Sequence, residues 1–281
     1  ALDANITGAG NTAIGKDSLK VSLGNNNTAV GMNALLANTT GGSNVAIGQG
    51  ALDSSTTASA NVAVGEGTLA AVTTASENTA VGHTAGTVTT GRRNTFLGYR
   101  SGLANTSGYN NTFVGSDVGL ANIDGYQNVA VGERTLEANT SGDNNTAVGH
   151  MALQANTTAN DNTAIGFNAM KANTTGASNV AVGIYALDAN TTGDQNVAIG
   201  RHALGANTTA DNNIAIGQTA LYVNTTGTRN TAIGVNALDA SDTESDNFAI
   251  GYQAMTVMNG GGQYNTVIGN YAGDAITSAD N

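Results

Sequence analysis

Asn145-Thr146-Ala147-Val148-Gly149 returns as Asn162-Thr163-Ala164-Ile165-Gly166, and the phrase starts again at Asn179, Asn196, Asn213 and Asn230. Working outward from this stretch, the closing glycine recurs from Gly15 to Gly269 in sixteen copies. The spacing is 17, apart from two steps of 16 and a last step of 18. A fixed period over the whole chain marks a repeat architecture, in which each unit stacks on its neighbours. The chain is therefore expected to be a single repeat domain, residues 1–281, without separate caps.

With each closing glycine taken as position 0, the other positions fall into classes. Position −4 is Asn in every copy and position −1 is Val, Ile or Leu. Position −2 is Ala except at Phe96, Phe113 and Val267, and position −3 is Thr in nine copies and Val, Ile or Phe in the rest. Successive residues of a strand face opposite ways, so −1 and −3 share one face and −2 takes the other. Both faces are then apolar, as in a strand covered on both sides. A helix is opposed by the recurrent glycine and by the β-branched residues before it. The second half of the repeat, as in Ala152-Leu153-Gln154-Ala155-Asn156-Thr157-Thr158, reads as a second short strand followed by a loop. The expected fold is all-β: a parallel β-solenoid of about sixteen 17-residue coils, with two strands in each.

Volume balance gives an internal test. Position +4 is normally Leu or Met, as at Leu136, Leu153, Met170 and Leu187, but it is Gly86, Gly102, Gly119 and Gly273 in four coils. Three of those four coils carry an enlarged side chain at −2, namely Phe96, Phe113 and Val267. Close-packed interiors demand compensation of this kind, so −2 and +4 should touch.

Composition limits what such a chain can do. Aromatics are 4% of residues and much of the 40% hydrophobic content is Ala, which suits a narrow core rather than a thick one. No cysteine is present, which excludes disulfides and thiolate chemistry. Twenty acidic against nine basic residues, a net charge of −11, argues against nucleic acid or an anionic membrane surface as partner. No apolar run approaches the roughly 20 residues of a membrane span, so no membrane insertion is expected of this segment.

Reactive groups are sparse. His83, His150 and His202 sit in separate coils at no metal-ligand or nucleophile spacing. Asp143, Asp161, Asp194, Asp211 and Asp246 come about one per coil, too thinly for calcium. No cofactor, no metal and no catalysis are expected. Asn145, Asn162, Asn179, Asn196, Asn213 and Asn230 should form a structural ladder of amides along the stack. Threonine pairs such as Thr157-Thr158 and Thr174-Thr175 would line up as rows, an arrangement that ice-binding solenoids also use, although Val72-Thr73 breaks it. Arg92, Arg93, Tyr99, Arg100, Tyr109 and Tyr126 gather three of six arginines and three of eight tyrosines into one short stretch, and stand as a candidate receptor patch.

Phrases such as Asn179-Val180-Ala181-Val182-Gly183 and Asn196-Val197-Ala198-Ile199-Gly200 resemble the head repeat of YadA-type trimeric autotransporter adhesins, and are similar to repeats of phage tail fibres. The resemblance covers nearly the whole chain, with a somewhat longer period and an expanded Ala-Asn-Thr-Thr-Gly loop. It implies a left-handed parallel β-roll and three chains side by side or intertwined on a cell surface or virion tail. The residues themselves argue only for association, because a coil with two apolar strand faces has one interior. The resulting expectation is a non-catalytic, extracellular fibre segment, a homotrimer that mediates attachment to a host-surface receptor or glycan. The alternatives are a filament subunit stacking end to end and an ice-binding solenoid. The lack of polar caps suggests an excerpt of a longer fibre.

Overall fold

The structure, a computed structural model, describes residues 1–3, 7–256 and 262–273. The C-terminal residues, where no polar cap is expected, lie outside these. The chain divides into two compact units, Ala1–Asp143 and Asn144–Asn281. Each is an all-β parallel solenoid, and no helix occurs among the described residues. Among the described residues the first unit holds eight strands from β1 (Thr12–Ile14) to β8 (Val129–Val131), including β6 (Thr95–Leu97) and β7 (Thr112–Val114). The second holds eight from β9 (Thr146–Val148) to β16 (Thr266–Ile268).

Every strand covers only the three positions from −3 to −1. Neighbours within a unit pair in parallel and in register, so Phe96 lies opposite Phe113 and Ala181 opposite Ala198. Each row along the stack is therefore one repeat position. The −2 alanines, from Ala29 through Ala249, are completely buried. Side chains at −1 and −3 face the other way and are only partly covered: Ile165 is 41% exposed and Ile214 is 38% exposed. The −2 face lines the interior of the coil and the −1/−3 face is its outer wall.

The second half of the coil is not the extended strand expected from its sequence. In the coil after Gly200, His202 has φ +57° and Leu204 has φ +51°, left-handed conformations that break an extended run. Between them the chain folds through short turns: the N–H groups of Ala203, Gly205 and Asn207 donate to the carbonyls of Gly200, His202 and Leu204, each at 3.2 Å. The remaining donors point along the stack. His202 N–H reaches Ile184 O, and the N–H groups of Leu204 and Ala206 reach Ala220 O and Tyr222 O, all at 3.0 Å. Side-chain alternation could not reveal this, because the segment is held by local turn bonds together with hydrogen bonds to both neighbouring coils, neither of which leaves a period-2 pattern.

Left-handed backbone costs a non-glycine residue roughly 1–2 kcal/mol. The Leu204 side chain is fully buried, and such burial is worth about 1.5–3 kcal/mol. The strain at +4 is thus offset by the side chain it turns inward. Position 0 is different, because no side chain fits there. A Cβ on Gly200 (φ +135°) would lie 2.5 Å from the Gly217 carbonyl oxygen.

The expected contact between −2 and +4 is present. A Cβ on Gly102 would lie 2.4 Å from the Phe96 ring, and one on Gly119 would lie 2.4 Å from Phe113. The fourth glycine, unmatched within its own coil, is accounted for as well: a Cβ on Gly86 would meet the same Phe96 ring at 2.6 Å. One phenylalanine therefore occupies space that leucines vacate in two successive coils. Phe96 and Phe113 pack on each other with centroids 5.7 Å apart.

Candidate binding surface

The −4 asparagines stand immediately before each strand, where the chain turns into the sheet, and their side chains point inward. Asn145, Asn162, Asn179, Asn196, Asn213 and Asn230 are all fully buried. Each Oδ1 accepts the backbone N–H of the next asparagine in the row, as from Asn162 to Asn145 at 3.0 Å and from Asn196 to Asn179 at 2.8 Å. Each Nδ2 donates to a carbonyl in the following loop, as from Asn162 to Gly176 and from Asn196 to Ala210. The row satisfies buried backbone groups in every coil, and its polar atoms face no solvent.

A second asparagine ladder, not foreseen from the sequence, runs at +7. In the second unit Asn173 Nδ2 donates to Asn156 Oδ1 at 3.0 Å, and Asn190 and Asn207 continue the series at 2.8 Å. Each also donates to the carbonyl three positions further along, so Gly176 O receives both Asn162 and Asn173 at 2.9 Å. The signal lay in the recurrent Asn of Ala-Asn-Thr-Thr, which the neighbouring threonine pairs overshadowed. In the first unit Ser55, Val72 and Thr89 interrupt this ladder, leaving Asn38 Oδ1, Ser55 Oγ and Thr89 Oγ1 buried without partners among the described residues. In the second it stops at Asn224, whose Oδ1 is also unpartnered. There Ser241 and the N–H groups of Asp242 and Thr243 bond instead to the buried Glu244 carboxylate, at 3.0–3.1 Å.

The first threonine of each pair is engaged within the stack. Thr157, Thr174 and Thr191 each donate their hydroxyl to the carbonyl of the equivalent threonine one coil on, at 3.1, 2.9 and 3.0 Å. Those hydroxyl protons are not offered to an outside lattice.

The Arg/Tyr cluster falls into two rows at different corners of the coil. Tyr99 and Arg100 follow β6: Tyr99 stacks on His83 with centroids 5.7 Å apart, and Arg100 lies 5.0 Å above the Tyr99 ring while bonding Asp117 at 2.7 Å. That hydrogen bond to Asp117 holds the Arg100 guanidinium above its ordinary pKa. Arg92, Arg93, Tyr109 and Tyr126 lie before the strands, at −6 and −5. Arg93 pairs with Glu77 at 2.5 Å, and Tyr109 and Tyr126 stack almost parallel, 4.8 Å apart at 3°. Arg92 makes no ion pair among the described residues. At this corner a groove of about 450 Å³ opens, bordered by Ser76, Thr90, Gly91, Arg92, Ser107 and Tyr109. It coincides with one of the two shortened steps, from Gly82 to Gly98, where the loop is one position shorter.

The second unit carries an aromatic row of its own. His150, Phe167, Tyr185, His202 and Tyr222 contact one another in sequence, with centroids 5.0–5.8 Å apart. These positions look scattered in the chain, yet each is one coil from the next. Among the described residues no group of three His, Asp or Glu side chains is placed to hold a metal ion. Asp143, Asp194 and Asp211 accept backbone N–H groups of the preceding coil, and Asp246 grips Arg229 through both carboxylate oxygens. The chain matches no family model, no curated protein and no solved structure.

Proposed function

We propose that the chain is a non-catalytic segment of an extracellular attachment fibre, in which copies of the chain lie side by side as a homotrimer. The observation that carries this reading is the outer wall of the sheet. Ile47, Val81 and Val129 in the first unit, and Ile165, Ile199, Ile214 and Phe248 in the second, remain more than a third exposed in register-locked coils along each unit. An apolar surface repeated along a sheet is an association surface, because leaving it in water costs the burial energy of every coil at once. A second chain laid against it would add the thickness that one coil lacks. The resemblance to trimeric adhesin and tail-fibre repeats supplies the number three and the placement on a cell surface or virion tail. The asparagine ladders of the interior support a mechanical role, since their amides hold successive coils together. Attachment would then arise from weak contacts multiplied by repetition and valency.

The test is the mass in solution by light scattering on a size-exclusion column. A mass three times the 27.9 kDa of the chain is expected. Ile165→Lys with Ile199→Lys should dissociate the assembly while leaving the β signal of circular dichroism intact. A monomeric wild type would overturn the reading, and a mass that grows with concentration would favour the end-to-end filament.

A further inference from the structure

We propose that the groove over Ser76, Arg92 and Tyr109 binds a saccharide unit bearing a carboxylate, of the uronic or sialic acid type. The −6 row sets the donors of the groove. In neighbouring coils the backbone N–H at −6 is accepted by a side-chain oxygen of the −6 residue one coil on. Gly42 donates to Ser59 Oγ at 3.1 Å, Ser59 to Ser76 Oγ at 3.0 Å, and Tyr126 to Asp143 Oδ1 at 2.9 Å. Between Ser76 and Tyr126 the pattern fails, because the next residues in the row are Arg92, Tyr109 and Tyr126, which offer no short-chain oxygen. The N–H groups of Ser76, Arg92 and Tyr109 consequently have no acceptor among the described residues. They are donors on successive coils, about 4.8 Å apart. Arg92, which borders the same groove, likewise has no carboxylate partner among the described residues.

The protein itself indicates which group completes such a row. Asp143 accepts the N–H of Tyr126, Asp194 that of Ala177 at 2.6 Å, and Asp211 that of Asp194 at 2.7 Å. A carboxylate from outside would take the same place over Ser76 or Arg92, with the guanidinium as its counter-charge. The rest of the groove fits a sugar ring. Tyr109 is held parallel to Tyr126 on one side, so its other face is turned toward the short coil and offers a flat apolar platform. Ser107 and Thr90 stand at the border, the Thr90 hydroxyl donating to Thr106 O at 2.9 Å and so offering only its oxygen to a ligand. The volume of about 450 Å³ falls within the roughly 300–1,000 Å³ of small-ligand sites. The missing position of the short coil makes the space, and the row substitutions provide the donors.

This site deepens the attachment reading and rests on it for its purpose, but its chemistry is tested on the purified full chain alone. Calorimetric or NMR titrations would use sodium glucuronate and N-acetylneuraminic acid, with glucose, acetate and an acidic tripeptide as comparisons. Saturable binding of the two acidic sugars is expected, with glucose and acetate at least about tenfold weaker. Arg92→Asp restores a carboxylate to the row for the Ser76 N–H and should abolish binding with no loss of thermal stability. Arg92→Gln, which keeps the size, should weaken binding about tenfold or more and remains readable if the first variant folds poorly. Equal binding of glucose, equal binding of acetate, tighter binding of the peptide, no saturable binding, or unchanged binding by Arg92→Gln would each overturn the proposal. The two readings fail separately. Chain-coated beads that adhere to cells while ignoring acidic sugars would refute the site alone, whereas sugar binding without any adhesion would refute attachment alone.

Discussion

The coils from Asn145 to Gly234 and those from Gly82 to Gly132 are built to one plan, and they differ in what they tolerate. The first stretch is uniform: Ala at −2, Leu or Met at +4, and Asn at +7 until the ladder ends at Asn224. The second exchanges two alanines for Phe96 and Phe113 and three leucines for Gly86, Gly102 and Gly119, shortens one loop, and opens a groove bordered by Arg92 and Tyr109. Both keep Asn at −4 and Gly at 0 without exception. Interior volume can therefore be redistributed among side chains, whereas the two positions that serve the backbone cannot. A side chain at 0 meets the carbonyl of the next coil, and an absent amide at −4 orphans two buried groups.

The comparison would break first in the remodelled core. Phe96→Ala alone should cost about 3–5 kcal/mol in chemical unfolding, because it leaves a cavity across two coils. Combining it with Gly86→Leu and Gly102→Leu should recover stability to within about 1.5 kcal/mol of wild type, since the triple variant recreates the uniform coil. A triple variant no better than the single one would show that the two packings are not interchangeable. Next in size is Asn196→Ala in the uniform stretch. It removes the acceptor for Asn213 N–H and the donor to Ala210 O, at an expected cost of about 2–4 kcal/mol. Loss of protection at the Asn213 amide in hydrogen exchange would locate the effect.

A smaller change should sharpen the contrast from the other side. Ser55→Asn would extend the interrupted +7 row of the first unit by one coil and give the unpartnered Asn38 Oδ1 a donor, with an expected gain of about 1 kcal/mol. The smallest effect concerns Asp188, whose carboxyl burial holds above the ordinary aspartate value. The folded state then binds this proton more readily than the unfolded one, so stability falls as pH rises through the window just above roughly 3.9. Asp188→Asn should flatten that slope and raise stability at neutral pH by a few tenths of a kcal/mol, about 0.5 at most. Thermal unfolding between pH 3 and pH 7 would read both.

Much of this architecture was legible in the residues. The period, the strand at −3 to −1, and the contact between −2 and +4 follow from local rules: alternation along a strand, and constant volume in a packed interior. Phe96 with Gly102 made that contact visible without coordinates. The turn segment was not legible, because His202 and Leu204 adopt left-handed backbone only under hydrogen bonds to the neighbouring coils. The candidate site was half legible. Arg92 and Tyr109 stood out by composition, but Tyr99 and Arg100 look equally close in the chain and lie at another corner of the coil.

By itself, then, the sequence determined what repeats: a coil of nearly constant length, a glycine and an asparagine that no copy gives up, and an interior of constant volume. These follow from sterics and hydrogen bonding within one period and its immediate neighbour. Only the tertiary structure decided which strand face turns inward, which side-chain oxygens close the −6 row and where that row is left open. Those choices depend on how successive coils lie on one another, so no single period contains them.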